Sequence, residues 1–121
     1  MDLNTPHLAM FERFLDLTSY RQQLVTTNIA NVDTSGYRTR DIDFRHEFQQ
    51  AMDNMDASPH PVAREVGGLL ERPDGNNVSI DRESLLLAEN QLQFRVGVEL
   101  IKKEFGMLSM AINEGKAGNG G

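Results

Sequence analysis

Few side chains in this 121-residue sequence are spaced to do chemistry together. His7, His46 and His60 lie far apart, and His46-Glu47 is not followed by the second His of a zinc-binding H-E-x-x-H helix. We therefore expect surface histidines and no metal. Cys is absent, which removes disulfides, thiolate zinc sites and thiol nucleophiles. Asp41 and Asp43 are the nearest approach to a carboxylate pair. Their position on a turn predicts exposed groups of ordinary acidity, unsuited to acid–base work. No G-x-S-x-G, phosphate-binding loop or dinucleotide fingerprint occurs. The expectation is a protein that is not an enzyme and holds no cofactor.

The elements that would position these residues are helices. The first begins at Thr5-Pro6, a good cap followed by a proline whose missing amide costs nothing in the first turn. No glycine or further proline interrupts it before Val32. Its heptad positions are Leu8, Phe11, Leu15, Thr18, Gln22, Val25, Ile29 and Val32, most of them apolar, which predicts a coiled-coil-like seam about 40 Å long. Between Arg21 and Asp33 it carries no charge, only Gln, Thr and Asn. Such depletion suits either an intermolecular interface or a face covered by the chain's own second helix. The helix stops at Asp33-Thr34-Ser35-Gly36, whose side chains compete for backbone hydrogen bonds and whose glycine accepts a left-handed cap. Tyr37, Ile42 and Phe44 are expected to pack back on the helix end.

A second long helix is predicted over 81–113, with Asp81 as its cap and Glu83 near its positive start. Its heptad positions are Ser84, Leu87, Gln91, Phe94, Val98, Ile101, Phe105, Leu108 and Ile112. Gly97 and Gly106 weaken it by about 1 kcal/mol each relative to Ala, but permit close helix approach. The stretch Phe105–Ile112 is uncharged and apolar nearly all round, so other subunits should cover what one partner helix cannot. The fold class is mainly α, an antiparallel pair of terminal helices. The parts are 1–36, core helix and turn; 37–80, an irregular middle; 81–113, core helix; and 114–121, a flexible tail. The middle has a modest helical pattern over Phe44–Met55, a loop over Asp56–Gly68, a Pro73-Asp74-Gly75 turn, and an extended piece at Val78 and Ile80. The packing core should comprise Leu8, Phe11, Leu15, Val25, Ile29, Leu87, Phe94, Val98, Ile101, Phe105, Leu108 and Ile112.

Charge and hydropathy exclude other classes. A net charge of −6 with scattered basic residues argues against nucleic acid. No apolar run approaches the roughly 18 residues of a membrane span. The N-terminal MDLNTPHLAM lacks the basic and apolar regions of a Sec-type signal. Two helices alone bury too little for stability, which favours assembly over a private hairpin.

The segment Asn28–Tyr37, NIANVDTSGY, is similar to the N-L/I-A-N-x-x-T-P-G-Y signature of the flagellar axial protein family, which builds rods and hooks. Ser35 replaces the usual proline, which would only stiffen the turn. On this resemblance Asn28, Ala30, Asn31, Thr34, Gly36 and Tyr37 are the signature residues. Asp74–Glu83, DGNNVSIDRE, looks like the D-G-N-x-V-x-x-D-x-E segment of the proximal-rod, FlgB-type members. The Pro-Asn-Val and Glu-Met stretch of the FlgC type is missing. Gln49–Arg72 is poorly matched. The resemblance implies a structural rod subunit in the periplasm, exported by the flagellar type III apparatus without a cleaved signal. It would polymerise helically with copies of itself and meet FliE, FlgC and the MS-ring protein FliF. Poorly partnered terminal helices would gain order on assembly. Phe44-Arg45-His46-Glu47-Phe48 fits the F-x-x-x-hydrophobic element that the export gate recognises in such proteins, although two Phe at this spacing are also an ordinary packing pair. The competing class is a small cytosolic adaptor or export chaperone, which has no reason to carry both signatures.

Overall fold

The computed structural model describes residues 6–55 and 60–119, with the backbone alone for 116–119. Helix α1 (Pro6–Ala30) runs antiparallel to helix α3 (Ile80–Asn119), and the short α2 (Phe44–Asp53) packs beside α1. Strands β1 (Arg40–Asp41) and β2 (Arg64–Glu65) form a two-stranded antiparallel ribbon, with Arg40 opposite Glu65 and Asp41 opposite Arg64.

Pro6 opens α1 as expected, while its expected cap Thr5 lies outside the described residues. The helix passes after Ala30 into a run of tight turns, and Gly36 then turns the chain at φ +75°, a conformation most side chains resist. Asp43 caps α2, its Oδ1 accepting the His46 amide at 3.1 Å.

Several expectations need correction. Ser79, not Asp81, caps α3: its Oγ accepts the Arg82 amide at 3.2 Å, which leaves Asp81 inside the first turn. Ile80 consequently opens α3 instead of ending an extended piece, and the extended residues are those of β1 and β2. Asp41 is buried, because both arginines that bind it lie on the long helices. The helical backbone of α3 also continues past residue 113 to Asn119, since Glu114, Lys116 and Ala117 are good helix formers that offset the intervening glycines.

The long helices hold one register throughout. Asn28 meets Glu83, Thr18 and Gln22 meet Asn90, Leu15 meets Gly97, and His7 meets Glu104 at 3.4 Å. The α3 partners Glu83, Asn90, Gly97 and Glu104 are spaced by seven residues, so one heptad stripe faces α1. Carried on, the register sets Phe105 against the start of α1, and α3 then extends past the described end of its partner.

The core is narrow. Leu8, Leu17, Val25, Ile42 and Ala51 are its buried apolar side chains, and they share the interior with Thr18, Asn28, Thr39, Asp41, Asn76, Asn77, Glu83 and Asn90. A satellite cluster joins α2 to α1. Phe44 and Phe48 stack at 6.2 Å between centroids, and both meet Phe14 edge-on at 5.5 and 6.0 Å. Phe44 thus packs on the first half of α1, not on its end. The Arg13 guanidinium donates to the Met55 carbonyl at 2.7 Å, tying the chain after α2 to the same helix.

The two central glycines of α3 have different surroundings. A Cβ at Gly97 would lie 2.7 Å from Leu15 Cδ2 and 3.2 Å from Phe14 Cδ1, whereas one at Gly106 meets nothing within 4 Å. Gly97→Val should cost about 1–3 kcal/mol in urea unfolding by overpacking the helix crossing. Gly106→Ala should instead raise stability by up to about 1 kcal/mol through helix propensity.

Candidate functional site

Asn28 sits at the last turn of α1, 1% exposed, and uses its whole hydrogen-bonding capacity. Its Nδ2 donates to the Arg40 carbonyl at 2.9 Å and to Glu83 Oε2 at 3.1 Å. Its Oδ1 accepts the Tyr37 hydroxyl at 2.8 Å and the Arg40 amide at 3.2 Å. A buried amide with two donors and two acceptor sites has no spare partner here. Leucine would lose all four bonds, and aspartate would face the Glu83 carboxylate with no donor.

Glu83 has no solvent exposure, so its charge needs compensation. Arg82 Nη1 donates to Glu83 Oε1 at 2.6 Å, and Arg82 Nη2 to Asp41 Oδ2 at 2.6 Å. Arg21 completes the set, its Nε and Nη2 gripping the two Asp41 oxygens at 3.0 and 2.9 Å. The Ile42 amide adds a bond to Asp41 Oδ1 at 2.8 Å. Two half-buried guanidinium groups and two buried carboxylates therefore form a neutral chain from α1 through β1 to α3. Burial alone would raise the Asp41 carboxyl, but Arg21, Arg82 and the Ile42 amide together outweigh it and hold it below its ordinary value. Burial also pushes the Tyr37 hydroxyl up, so it remains a donor to Asn28.

The turn after α1 is fastened by the segment before α3. Asn76 Nδ2 donates to the Asn31 and Thr34 carbonyls at 3.0 and 2.8 Å, each of which also accepts a backbone amide of the turn. The Arg72 guanidinium bonds the Val32 carbonyl. Asn77 Oδ1 accepts the Thr39 amide at 2.6 Å, and the Asn77 amide donates to the Tyr37 carbonyl at 3.3 Å. Gly75, at φ +88°, brings its own turn against Gly36, where an added Cβ would lie 3.6 Å from Gly36 Cα. Within the first turn, Thr34 Oγ1 donates to Asn31 Oδ1 at 2.9 Å, and Asn31 Nδ2 to the Thr27 carbonyl at 2.8 Å. Asn28–Tyr37 and Asp74–Glu83 are thus two halves of one polar lock.

The lock gathers Asn28, Asn31, Thr34, Gly36 and Tyr37 of the expected signature, while the side chain of Ala30 is exposed. Phe44 and Phe48 lie elsewhere, in the aromatic cluster. Among the expected packing residues, Leu8 and Val25 are buried within the chain. Phe11, Leu15, Ile29, Leu87, Val98, Ile101, Leu108 and Ile112 are half-buried, and Phe94 and Phe105 are exposed. The uncharged half of α1 is divided likewise: Val25 and Asn28 face inward, while Gln23, Thr26, Thr27 and Ala30 are exposed. Sequence reading missed Arg21, Asp41, Asn76, Asn77 and Arg82 as partners, and assigned Glu83 to a helix-start role alone. The available signal was the Asn pair after Asp74-Gly75, since neither asparagine is needed to make that turn.

Among the described residues there is no cluster of three metal-ligating side chains, and no helix is long and apolar enough to cross a membrane. A polar lock of this kind positions helices; it presents no open reactive group.

No family model matches the chain. Its sequence is 33% identical to the flagellar basal body rod protein FlgB of Salmonella typhimurium, over 85% of this chain and 91% of that protein. It is 31% identical to FlgB of Escherichia coli over the same shares, and 26% identical to FlgB of Bacillus subtilis over 96% of this chain and all of that protein. The chain belongs to the FlgB family. It is therefore a component of the flagellar basal body rod, as the two signatures imply. FlgB relatives are structural rod proteins, in keeping with a site that joins elements of one chain.

Two outcomes follow for the lock. Asn28→Ala should lower the urea-unfolding free energy by about 3 kcal/mol, because Glu83, Tyr37 and both Arg40 backbone groups lose a buried partner. The depressed Asp41 pKa stabilises the fold fully above the unfolded carboxylate value of about 3.9, and that stability is lost as pH falls through the folded value. Unfolding free energy should therefore decline with acid from about pH 4 downward. Asp41→Asn should flatten that part of the profile while lowering stability at pH 7.

Proposed function

We infer that the chain is a proximal-rod subunit that polymerises helically through its terminal helices to form part of the flagellar drive shaft. The observation that carries this reading is the surface of α3. Leu85, Leu92, Val96, Leu100, Met107 and Met110 are exposed on a helix whose other side already packs on α1. Apolar surface of this extent on a rod-family protein calls for neighbouring subunits. The end of the hairpin remote from the lock gains order from those neighbours. The subunit is made in the cytoplasm, leaves through the flagellar type III gate without a cleaved signal, and takes its place in the periplasmic rod beside FliE, FlgC and FliF.

Deletion of the gene from a flagellated host should abolish motility and leave basal bodies without a complete rod in electron micrographs. Intact rods in the deletion strain would reject the reading.

Phe44 and Phe48 are the proposed gate-recognition element. Their packing on Phe14 supplies a control, since Phe14→Ala loosens the same cluster without touching the element. Phe48→Ala should lower secretion at least fivefold further than Phe14→Ala when the two are matched for cellular level. Equal secretion of the two variants would assign the pair to packing alone.

A further inference from the structure

Residues 66–72 form a loop that is fixed at both ends and stands clear of the rest of the chain. The Val66 amide donates to the Thr39 carbonyl at 2.9 Å, and the Arg72 amide donates to the Asn76 carbonyl at 2.8 Å. A Cβ added at Gly67 or Gly68 would meet nothing within 4 Å. In this loop Leu70 is 94% exposed, the most exposed large apolar side chain among the described residues. A single exposed aliphatic is ordinary on a protein surface. Leu70 differs because its loop is anchored. Its ordering entropy is lost when the chain folds, so docking it into a partner costs little more.

The chain also carries a recess that such a side chain fits. Thr18 and Gln22 of α1 and Gln91, Phe94, Arg95 and Val98 of α3 line a groove of about 740 Å³ between the two helices. Phe94, 43% exposed, and the half-buried Val98 give it apolar surface. These two lie on one flank of the heptad stripe that meets α1, while Val96 and Leu100 of the exposed apolar face lie on the other. Charge matches as well. Arg95 makes no ion pair among the described residues. Glu71, next to Leu70, is held by the Arg38 guanidinium, which Glu65 also approaches at 4.0 Å, so Glu71 can accept a second cation.

We propose that Leu70 of one subunit seats in the α1–α3 groove of a second copy of this chain within the rod, with Glu71 meeting Arg95. Leu70 is not among the residues that line the groove of its own chain, and both ends of its loop are bound in place. The groove has walls on both long helices, so it is complete only where they are paired, and the contact belongs to the assembled state. Knob and groove are different surfaces of one chain. The contact is therefore heterologous, and it repeats from copy to copy instead of closing as a pair. This inference rests on the rod reading and adds to it a contact between the middle segment of one subunit and the terminal helices of another.

The chain has no cysteine, so introduced thiols report the contact cleanly. Full-length variants replace the native protein in the flagellated host, and isolated basal bodies are oxidised mildly and run without reductant. Leu70→Cys/Gln91→Cys should give a ladder of dimers, trimers and longer species, whereas either single variant should stay monomeric. Leu70→Cys/Val96→Cys, with its second thiol on the other flank of α3, should link at least tenfold less. No linkage through Gln91→Cys in assembled rods, dimers without higher species, or equal linkage through Val96→Cys would each overturn the proposal. Leu70→Asp should also lower the protein retained in basal bodies at least fivefold at unchanged secretion, and Leu70→Met should keep the wild-type amount. Wild-type retention of Leu70→Asp would overturn the contact and leave the rod reading intact. Absence of the wild-type chain from basal bodies would instead reject the rod reading, and this contact with it.

Discussion

The hydrogen bond between Asn28 and Glu83 is the contact on which the rest of this molecule depends. It joins the end of α1 to the start of α3 where both side chains are buried, so each must be fully satisfied or the closure is costly. That requirement recruits Tyr37 and the Arg40 backbone to Asn28, Arg82 to Glu83, and then Asp41 and Arg21 in turn. The apolar core is too narrow to choose among registers of two heptad helices. A slip by one turn would bury the same kinds of aliphatic side chains, but would strand the Glu83 carboxylate. The polar chain therefore supplies uniqueness, while the apolar stripe supplies attraction.

The same logic explains why two signatures far apart in sequence occur in one protein. The first, with Gly36 in the left-handed region, ends a helix in turns whose carbonyls have room for a further donor. The second supplies Asn76 and Arg72 to those carbonyls and Asn77 to the outgoing strand. Each segment alone is a turn with unused hydrogen-bonding groups. Together they form a closed end from which both long helices leave in fixed directions. The middle segment hangs from this end through the short ribbon, and the Phe14–Phe44–Phe48 cluster holds it to the first half of α1.

Much of this architecture was legible in the sequence. Heptad spacing and an uninterrupted run from Pro6 revealed both long helices, and Gly36 revealed the turn. The fold class and the rod family followed from features that are local or motif-like. The lock was less legible, because its members are polar residues whose partners lie at a long range that spacing does not encode. Asp41 looked like a surface charge until Arg21 and Arg82 were seen to converge on it. Ser79 was overlooked as a cap because Asp81 is an equally good capping type two residues later. Phe94 and Phe105 fit the heptad pattern yet remain exposed, since a period of 3.5 drifts around a helix of 3.6 residues per turn along so long an element.

A hairpin locked at one end and apolar along its outer side divides the subunit into a part that is complete by itself and a part that awaits neighbours. Amide hydrogen exchange on the purified wild-type chain at neutral pH tests this division directly. The account predicts the slowest exchange in residues 25–30 and 83–90, beside the Asn28–Glu83 contact, and progressively faster exchange along α3 toward residues 105–115. Uniform protection along α3, or the slowest exchange at its far end, would contradict the account.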